Sequence, residues 1–309
     1  MISFEHRVSG TLFGCAVGDA LGLGAEFMTY EQMREWYPHG LTDYDQIIRD
    51  AHRKRFSKGA WTDDTDMMLC IAETMIETRS LNPRAVAERF KAWFNDRPMG
   101  IGRTTYSVLK FKDYVDSPQK AAEVIWKLSR WRSAGNGGIM RTAVVGLWHE
   151  GIAKHAEEVC RLTHYDPRCT GSSVIISEMI HSLAYYGEII SFERMIEIGK
   201  RYDSRIEEYL RQAKEAESVL ELELDDKSRG YTLKTLAAAL WILFHVESFE
   251  EGLITIVNAG GDADTNAAVA CSLLGAKYGI EAIPERYVIG LDRREKLFEI
   301  ARRLRAVLP

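Results

Sequence analysis

The sequence predicts an all-α fold, a compact multi-helix bundle, on three observations. Apolar residues recur at three- and four-residue spacing through nearly every long segment. Helix start signals punctuate those segments, and alternating strand patterns joined by hairpin turns are missing. The 309 residues are 46% apolar, enough to bury a sizeable core and to exclude disorder as the main description. No Pro/Ser-rich linker and no repeat of fixed period divides them, so residues 1–309 read as one all-α domain.

The first element spans Val8 to Ala25, with Gly10, Gly14, Gly18 and Gly22 at four-residue spacing. Such spacing also suits a membrane helix, but Asp19 interrupts the run, and Glu5 spoils the basic start of a signal peptide. The segment reads instead as a buried helix whose glycines admit another backbone. Thr62 and two aspartates precede the next apolar helix. Asn82-Pro83 and Ser117-Pro118 then open helices with a cap residue and a first-turn proline. The run I-M-R-T-A-V-V-G-L-W from residue 139 reads as a further helix, followed by 170–187, 203–220 and 231–246. Ser248 with Glu251 forms a capping box, and 265–279 and 292–307 complete the set. Tyr106, Phe111, Trp126 and Trp131 read as helix packing.

A net charge of −5 excludes a global basic field, so nothing strong signals nucleic acid. The five cysteines (15, 70, 160, 169 and 271) show no CxxC pairing, which suits reduced thiols and a cytoplasmic setting. Residues 49–58, R-D-A-H-R-K-R-F-S-K, are either a solvated loop or a patch that attracts a phosphate-bearing ligand. Residues 133–138, S-A-G-N-G-G, are an ordinary turn or a loop whose amides face phosphate oxygens.

The strongest chemical signal is a pair of acidic motifs. W-T-D-D-T-D at 61–66 and G-G-D-A-D-T-N-A-A at 260–268 each set two carboxylates and a hydroxyl before an apolar helix. One such motif is an ordinary helix cap, favoured by the dipole. Two that converge put four negative charges in one cavity, where a pair at ~4 Å repels by ~4 kcal/mol at an effective dielectric of 20. A bound cation relieves that repulsion. Hard oxygen donors without His or Cys favour Mg²⁺ or Mn²⁺ over zinc, and carboxylates bridging two ions would give a two-metal site. Glu26, where the first helix emerges into a loop, is a candidate proton-transfer group.

These motifs resemble those of the ADP-ribosylglycohydrolases. The likeness rests on G-C-A-V-G-D-A-L-G-L-G-A-E-F, W-T-D-D-T-D, G-N-G-G-I-M-R at 135–141, T-H-Y-D-P at 163–167 and G-G-D-A-D-T-N-A-A, in that family's order and across nearly the whole chain. The resemblance implies an orthogonal all-α bundle with a dinuclear Mg²⁺ or Mn²⁺ centre in a cleft. Thr62, Asp63, Asp64, Asp262, Asp264 and Thr265 would be its metal ligands, and Glu26 or Asp63 the catalytic carboxylate. It further implies Ser133, Gly135, Asn136, Gly137 and His164 around a diphosphate, and Tyr231 stacked on adenine. Gly100 and Gly102 would line the distal ribose pocket. Each of these also has a plain structural reading: His164 as an imidazolium closing a helix, Tyr231 as core, the glycines as a turn. Arg132-Ser133-Ala134 departs from the Gly-Ser-Tyr of some members, which weakens the role of Ser133. The activity implied is hydrolytic release of ADP-ribose from a protein or a small ADP-ribosyl substrate, most simply from arginine. The alternatives are a serine, nucleic-acid or acetyl-ester acceptor, or a non-catalytic relative that binds ADP-ribose or serves as structure.

Overall fold

The computed structural model describes residues 2–308, and among them no strand forms; one antiparallel bridge joins Gly135 to Tyr231. The helices run α1 (Phe4–Gly22), α2 (Tyr30–Trp36), α3 (Asp63–Thr78), α4 (Pro83–Asn95) and α5 (Arg103–Leu109). Next come α6 (Pro118–Leu128), α7 (Ile152–Cys160), α8 (Pro167–Tyr186), α9 (Phe192–Tyr202) and α10 (Arg205–Glu215). The last five are α11 (Thr232–His245), α12 (Phe249–Asn258), α13 (Ala263–Tyr278), α14 (Glu285–Gly290) and α15 (Arg294–Arg305). The all-α expectation holds.

The pairing of α1 with α13 organises the centre. Every residue of α1 from Val8 to Gly22 is buried, as is α13 from Ala263 to Ala276, so both are core helices rather than amphipathic ones. The four-residue glycine spacing explains how two such helices meet. A methyl group on Gly10, Gly14, Gly18 or Gly22 would lie 2.1–2.5 Å from the carbonyl oxygens of Gly275, Cys271, Ala267 and Ala263 respectively. Backbone therefore packs on backbone in antiparallel register, and the C-terminal end of α1 lies against the first turn of α13. Among the described residues no helix is long and apolar enough to cross a membrane.

Several local expectations need correction. Residues 139–147 form two 3₁₀ turns, Ile139–Arg141 and Ala143–Leu147, instead of a helix. The Thr142 carbonyl accepts from Ser177 Oγ at 2.8 Å, and Gly146 presses on the Ser177 carbonyl, so packing against α8 overrides the helical pattern. The helix expected over 203–220 stops at Glu215, and Ser218 caps a separate 3₁₀ turn, Val219–Leu222. Asn82 caps α4 through its side chain, whereas Ser117 makes no cap hydrogen bond to α6. Ser248 does cap α12, but Glu251 reaches back to the Glu247 amide, so the capping box is half formed. Of the aromatic group read as packing, Trp126 is tied to Asp166 at 2.9 Å and Tyr106 packs edge-on against Phe94 at 5.6 Å, although Tyr106 is 45% exposed and Trp131 61%.

Candidate metal centre and cleft

The first carboxylate to consider is one the motif reading left out. Asp19, fully buried on α1, accepts from the Thr62 amide at 3.0 Å, the Thr62 hydroxyl at 2.9 Å, the Thr65 amide at 3.0 Å and the Thr65 hydroxyl at 2.6 Å. It thereby clamps the N-terminus of α3 onto α1. The signal was present, since a charge inside a glycine-spaced apolar helix has to meet donors somewhere. In the sequence Asp19 argues against a membrane span and falls within the first stretch of family likeness, and neither reading marks it as part of the acidic cluster.

Thr62 is the N-cap of α3, with a long 3.5 Å contact from the Asp64 amide. Its hydroxyl also lies 3.0 Å from Asp64 Oδ2. One hydroxyl proton cannot serve the Asp19 and Asp64 carboxylates at once, and Asp64 Oδ1 is buried with no hydrogen-bond partner. Asp262 stands at the N-cap of α13 without capping it; its Oδ2 instead accepts from Asn136 Nδ2 at 2.6 Å. Gly260 and Gly261, both left-handed at φ +73° and +75°, aim it there. The plain capping explanation thus fits Thr62 and fails for Asp262.

Ligand atoms of Asp19, Asp64 and Asp264 lie within 4.8 Å of one another, and so do those of Glu26, Asp262 and Asp264. Asp63 belongs to neither group and sits at the Gly100 turn, where a methyl group would come 3.0 Å from its Oδ1. Asp66, the third aspartate of its motif, turns away to Trp61 Nε1 at 2.8 Å and Arg293 at 3.1 Å. Burial pushes Asp19 up to about 6, against its four donors. Burial and then Asp19 push Asp63 up to about 7. Burial lifts Asp262 to about 6, while Asn136 holds it down. Asp64 and Asp264 go well above the carboxylate range, through burial and then the charges of Asp19 and Glu26 respectively. The donor set is all oxygen, and the orphaned Asp64 Oδ1 is an acceptor awaiting a positive partner. The residues therefore fit a hard divalent cation.

Above this floor opens a cleft of about 860 Å³, lined by Glu26, by the Thr62–Asp64 and Asp262–Thr265 motifs, and by every other site residue expected from the sequence. Two residues of the glycine-rich loop already engage their amides within the protein. The Asn136 amide donates to the Gly230 carbonyl, the Ser133 amide to Ser129 Oγ, and the Ser133 hydroxyl pairs with Thr104 at 2.8 Å. The loop packs closely on His164, whose ring would lie 2.6 Å from a methyl group on Gly137. His164 is buried and no imidazolium: burial, then the Arg141 charge, drives it down to about 3. Arg141 donates to Thr163 Oγ1 at 2.7 Å, and the same oxygen lies 2.8 Å from His164 Nδ1. The neutral ring lines the cleft, with one nitrogen on Thr163 and the other beside the glycine-rich loop. Tyr231 is half-buried at the far wall, with Arg168 5.5 Å above its ring and Tyr209 edge-on at 5.7 Å. The basic segment supplies Arg55 to the lining, but Arg53 is buried and tied to the Gly24 and Glu26 carbonyls.

Comparison with known proteins finds relatives along nearly the whole chain. The family model described as ADP-ribosylglycohydrolase matches residues 2–309. The ADP-ribosyl-[dinitrogen reductase] glycohydrolase of Rhodospirillum rubrum is 28% identical over 99% of this chain and 97% of its own. The ADP-ribosylarginine hydrolase Tri1 of Serratia proteamaculans is 26% identical over 98% of this chain and 80% of its own. A solved structure, an ADP-ribosylglycohydrolase-related protein complex, superposes with a TM-score of 0.74 at 27% identity, covering 99% of each chain.

Proposed function

The chain belongs to the ADP-ribosylglycohydrolase family, glycosidases by their chemistry, and from that premise we propose that it removes ADP-ribose from arginine on modified proteins in a metal-dependent reaction. The observation that carries the reading is the orphaned Asp64 Oδ1 among buried carboxylates at the floor of the cleft. Residues 1–309 act as one catalytic unit, since the two acidic motifs and Asp19 come from opposite ends of the chain. Thr62, Asp63, Asp64, Asp262, Asp264 and Thr265 would hold two divalent cations, Mg²⁺ or Mn²⁺, with Asp19 beneath them. Bound there, such ions would grip the ribose hydroxyls and lower the pKa of a water.

The chain's own groups do the rest. Asp63 and Glu26 face a ribose that gains positive charge as its C1″–N bond breaks, and their negative field stabilises that transition state. Glu26 moves the proton, so that water supplies OH to C1″ and H to the departing guanidine nitrogen. With its proton on Nε2, a neutral His164 would donate to a diphosphate oxygen. The face of Tyr231 offers a platform for adenine. Relatives bearing arginine hydrolase names favour arginine as the acceptor.

The test is ADP-ribosylarginine with the purified protein, with and without Mg²⁺ or Mn²⁺, read by mass spectrometry. Metal-dependent release of ADP-ribose is the expected result. Tight metal-dependent ADP-ribose binding without release would move the reading to another acceptor, and AMP as product would make the protein a phosphohydrolase.

A further inference from the structure

The segment 49–56 does more than carry charge. Arg53, 4% exposed, donates to the Gly24 carbonyl at 2.9 Å and the Glu26 carbonyl at 2.6 Å, and Asp50 receives its third nitrogen at 2.5 Å. The same turn therefore grips the backbone of Glu26 and delivers His52 to its side chain. His52 Nε2 lies 2.5 Å from Glu26 Oε2, where the two side chains are 30% and 12% exposed. The other ring nitrogen, Nδ1, lies 2.6 Å from Arg55 Nη2. A guanidinium has donors only, so Nδ1 must accept and the proton of a neutral imidazole must be on Nε2. Phe27 at 5.8 Å and Phe56 at 6.0 Å from the imidazole centroid hold the ring in place.

We propose that His52, its tautomer set by Arg55, is a positioning residue that donates Nε2–H to Glu26 Oε2 and leaves Oε1 to exchange the proton in glycosidic hydrolysis. This rests on the reading of Glu26 as the proton-transfer group. Glu26 lies in the turn that follows α1, four residues past Gly22, and precedes Phe27, which adopts a left-handed φ of +65°. A carboxylate on such a turn needs a second anchor to keep one oxygen aimed, and His52 is the side chain that supplies it.

The experiment compares Glu26→Gln, His52→Leu, His52→Gln and the Glu26→Gln/His52→Leu double variant in steady-state hydrolysis of ADP-ribosylarginine with Mg²⁺. Melting temperature and ADP-ribose affinity by calorimetry are measured alongside. The Leu variant is expected to lose about 10- to 100-fold in kcat at unchanged KM, melting temperature and ADP-ribose affinity. The Gln variant, whose amide N–H can occupy the place of Nε2–H, is expected to recover most of that loss. The double variant should be no slower than Glu26→Gln alone. Wild-type turnover by His52→Leu beside an impaired Glu26→Gln overturns the positioning role and leaves the reading of Glu26 intact. So does a Gln variant as slow as Leu, or a loss in Leu matched by weaker ADP-ribose binding. Full turnover by Glu26→Gln overturns the reading of Glu26 itself, and the positioning role with it.

Discussion

Asp19 shows how one residue can couple fold to chemistry. It satisfies two amides and two hydroxyls at the start of α3 and shares a compact oxygen cluster with Asp64 and Asp264. Asp19→Ala leaves those donors buried without an acceptor, and is expected to lower unfolding free energy on the order of 2–5 kcal/mol and to abolish the thermal shift produced by Mg²⁺ or Mn²⁺. Thermal unfolding with and without the ion checks both; a variant that keeps its metal-induced shift removes Asp19 from the centre. The same cluster sets a pH dependence. Asp19, Asp63 and Asp262 titrate at about 6, 7 and 6 in the folded, metal-free chain, against roughly 4 when unfolded. Between those values the folded state holds more protons, so metal-free stability falls as pH rises from about 4 to 7. His164, held near 3, works with the opposite sign, its contribution vanishing as pH falls below about 6.5, but one imidazole stands against several carboxylates. In chelator, the melting temperature should therefore drop between pH 5 and pH 7.5, and Mn²⁺ should restore it at the higher pH. A flat profile would mean the carboxylates repel far less than their burial implies.

At the level of elements, the α1–α13 contact carries both stability and site geometry. A methyl group at Gly14 would lie 2.1 Å from the Cys271 carbonyl oxygen, with no side chain there to move aside. Gly14→Ala is expected to cost about 3 kcal/mol or more and to weaken the metal-induced thermal shift, because α13 carries Asp264 in its first turn. Gly102→Ala is the control: its nearest neighbour would be 4.0 Å away and its φ is −64°, so stability should change by under about 1 kcal/mol. Equal losses in the two variants, measured by denaturant unfolding, would remove the backbone-contact argument. The close backbone approach on α1 was legible in the sequence, because a four-residue glycine stripe has few physical uses, whereas its partner α13 was not. The two 3₁₀ turns over 139–147 were not. Their apolar pattern suits a helix, and only the Ser177 hydroxyl, thirty-odd residues on, takes the carbonyl that a helix needs. Periodicity reports which face is buried and is silent on such a tertiary hydrogen bond.

Across the whole molecule, the floor of the site was readable and its walls were only partly so. Asp64, Asp262 and Asp264 announce themselves by type and spacing, since few folds bury paired carboxylates without a purpose. The roles of Ser133 and Asn136 depend on where Thr104 and Gly230 happen to stand, which no local pattern encodes. The same holds for charge. A net charge of −5 argues against attraction of anions, yet the cleft lining includes the exposed arginines Arg55, Arg103, Arg132 and Arg229 above its buried acids. The arrangement is layered: positive at the mouth, where a diphosphate would pass, and negative at the floor, where a cation would sit. Exposed arginines act through water, so their pull is screened over about 8 Å at physiological ionic strength, whereas contacts on the floor are not. Raising NaCl from 50 to 300 mM should therefore lower kcat/KM for ADP-ribosylarginine by about 3- to 10-fold through KM, with kcat constant. Arg132→Gln and Arg229→Gln together should flatten that salt dependence and raise KM at low salt. If kcat falls instead, or if the double variant keeps the wild-type slope, the rim does not steer the substrate and His164 and the floor hold it alone.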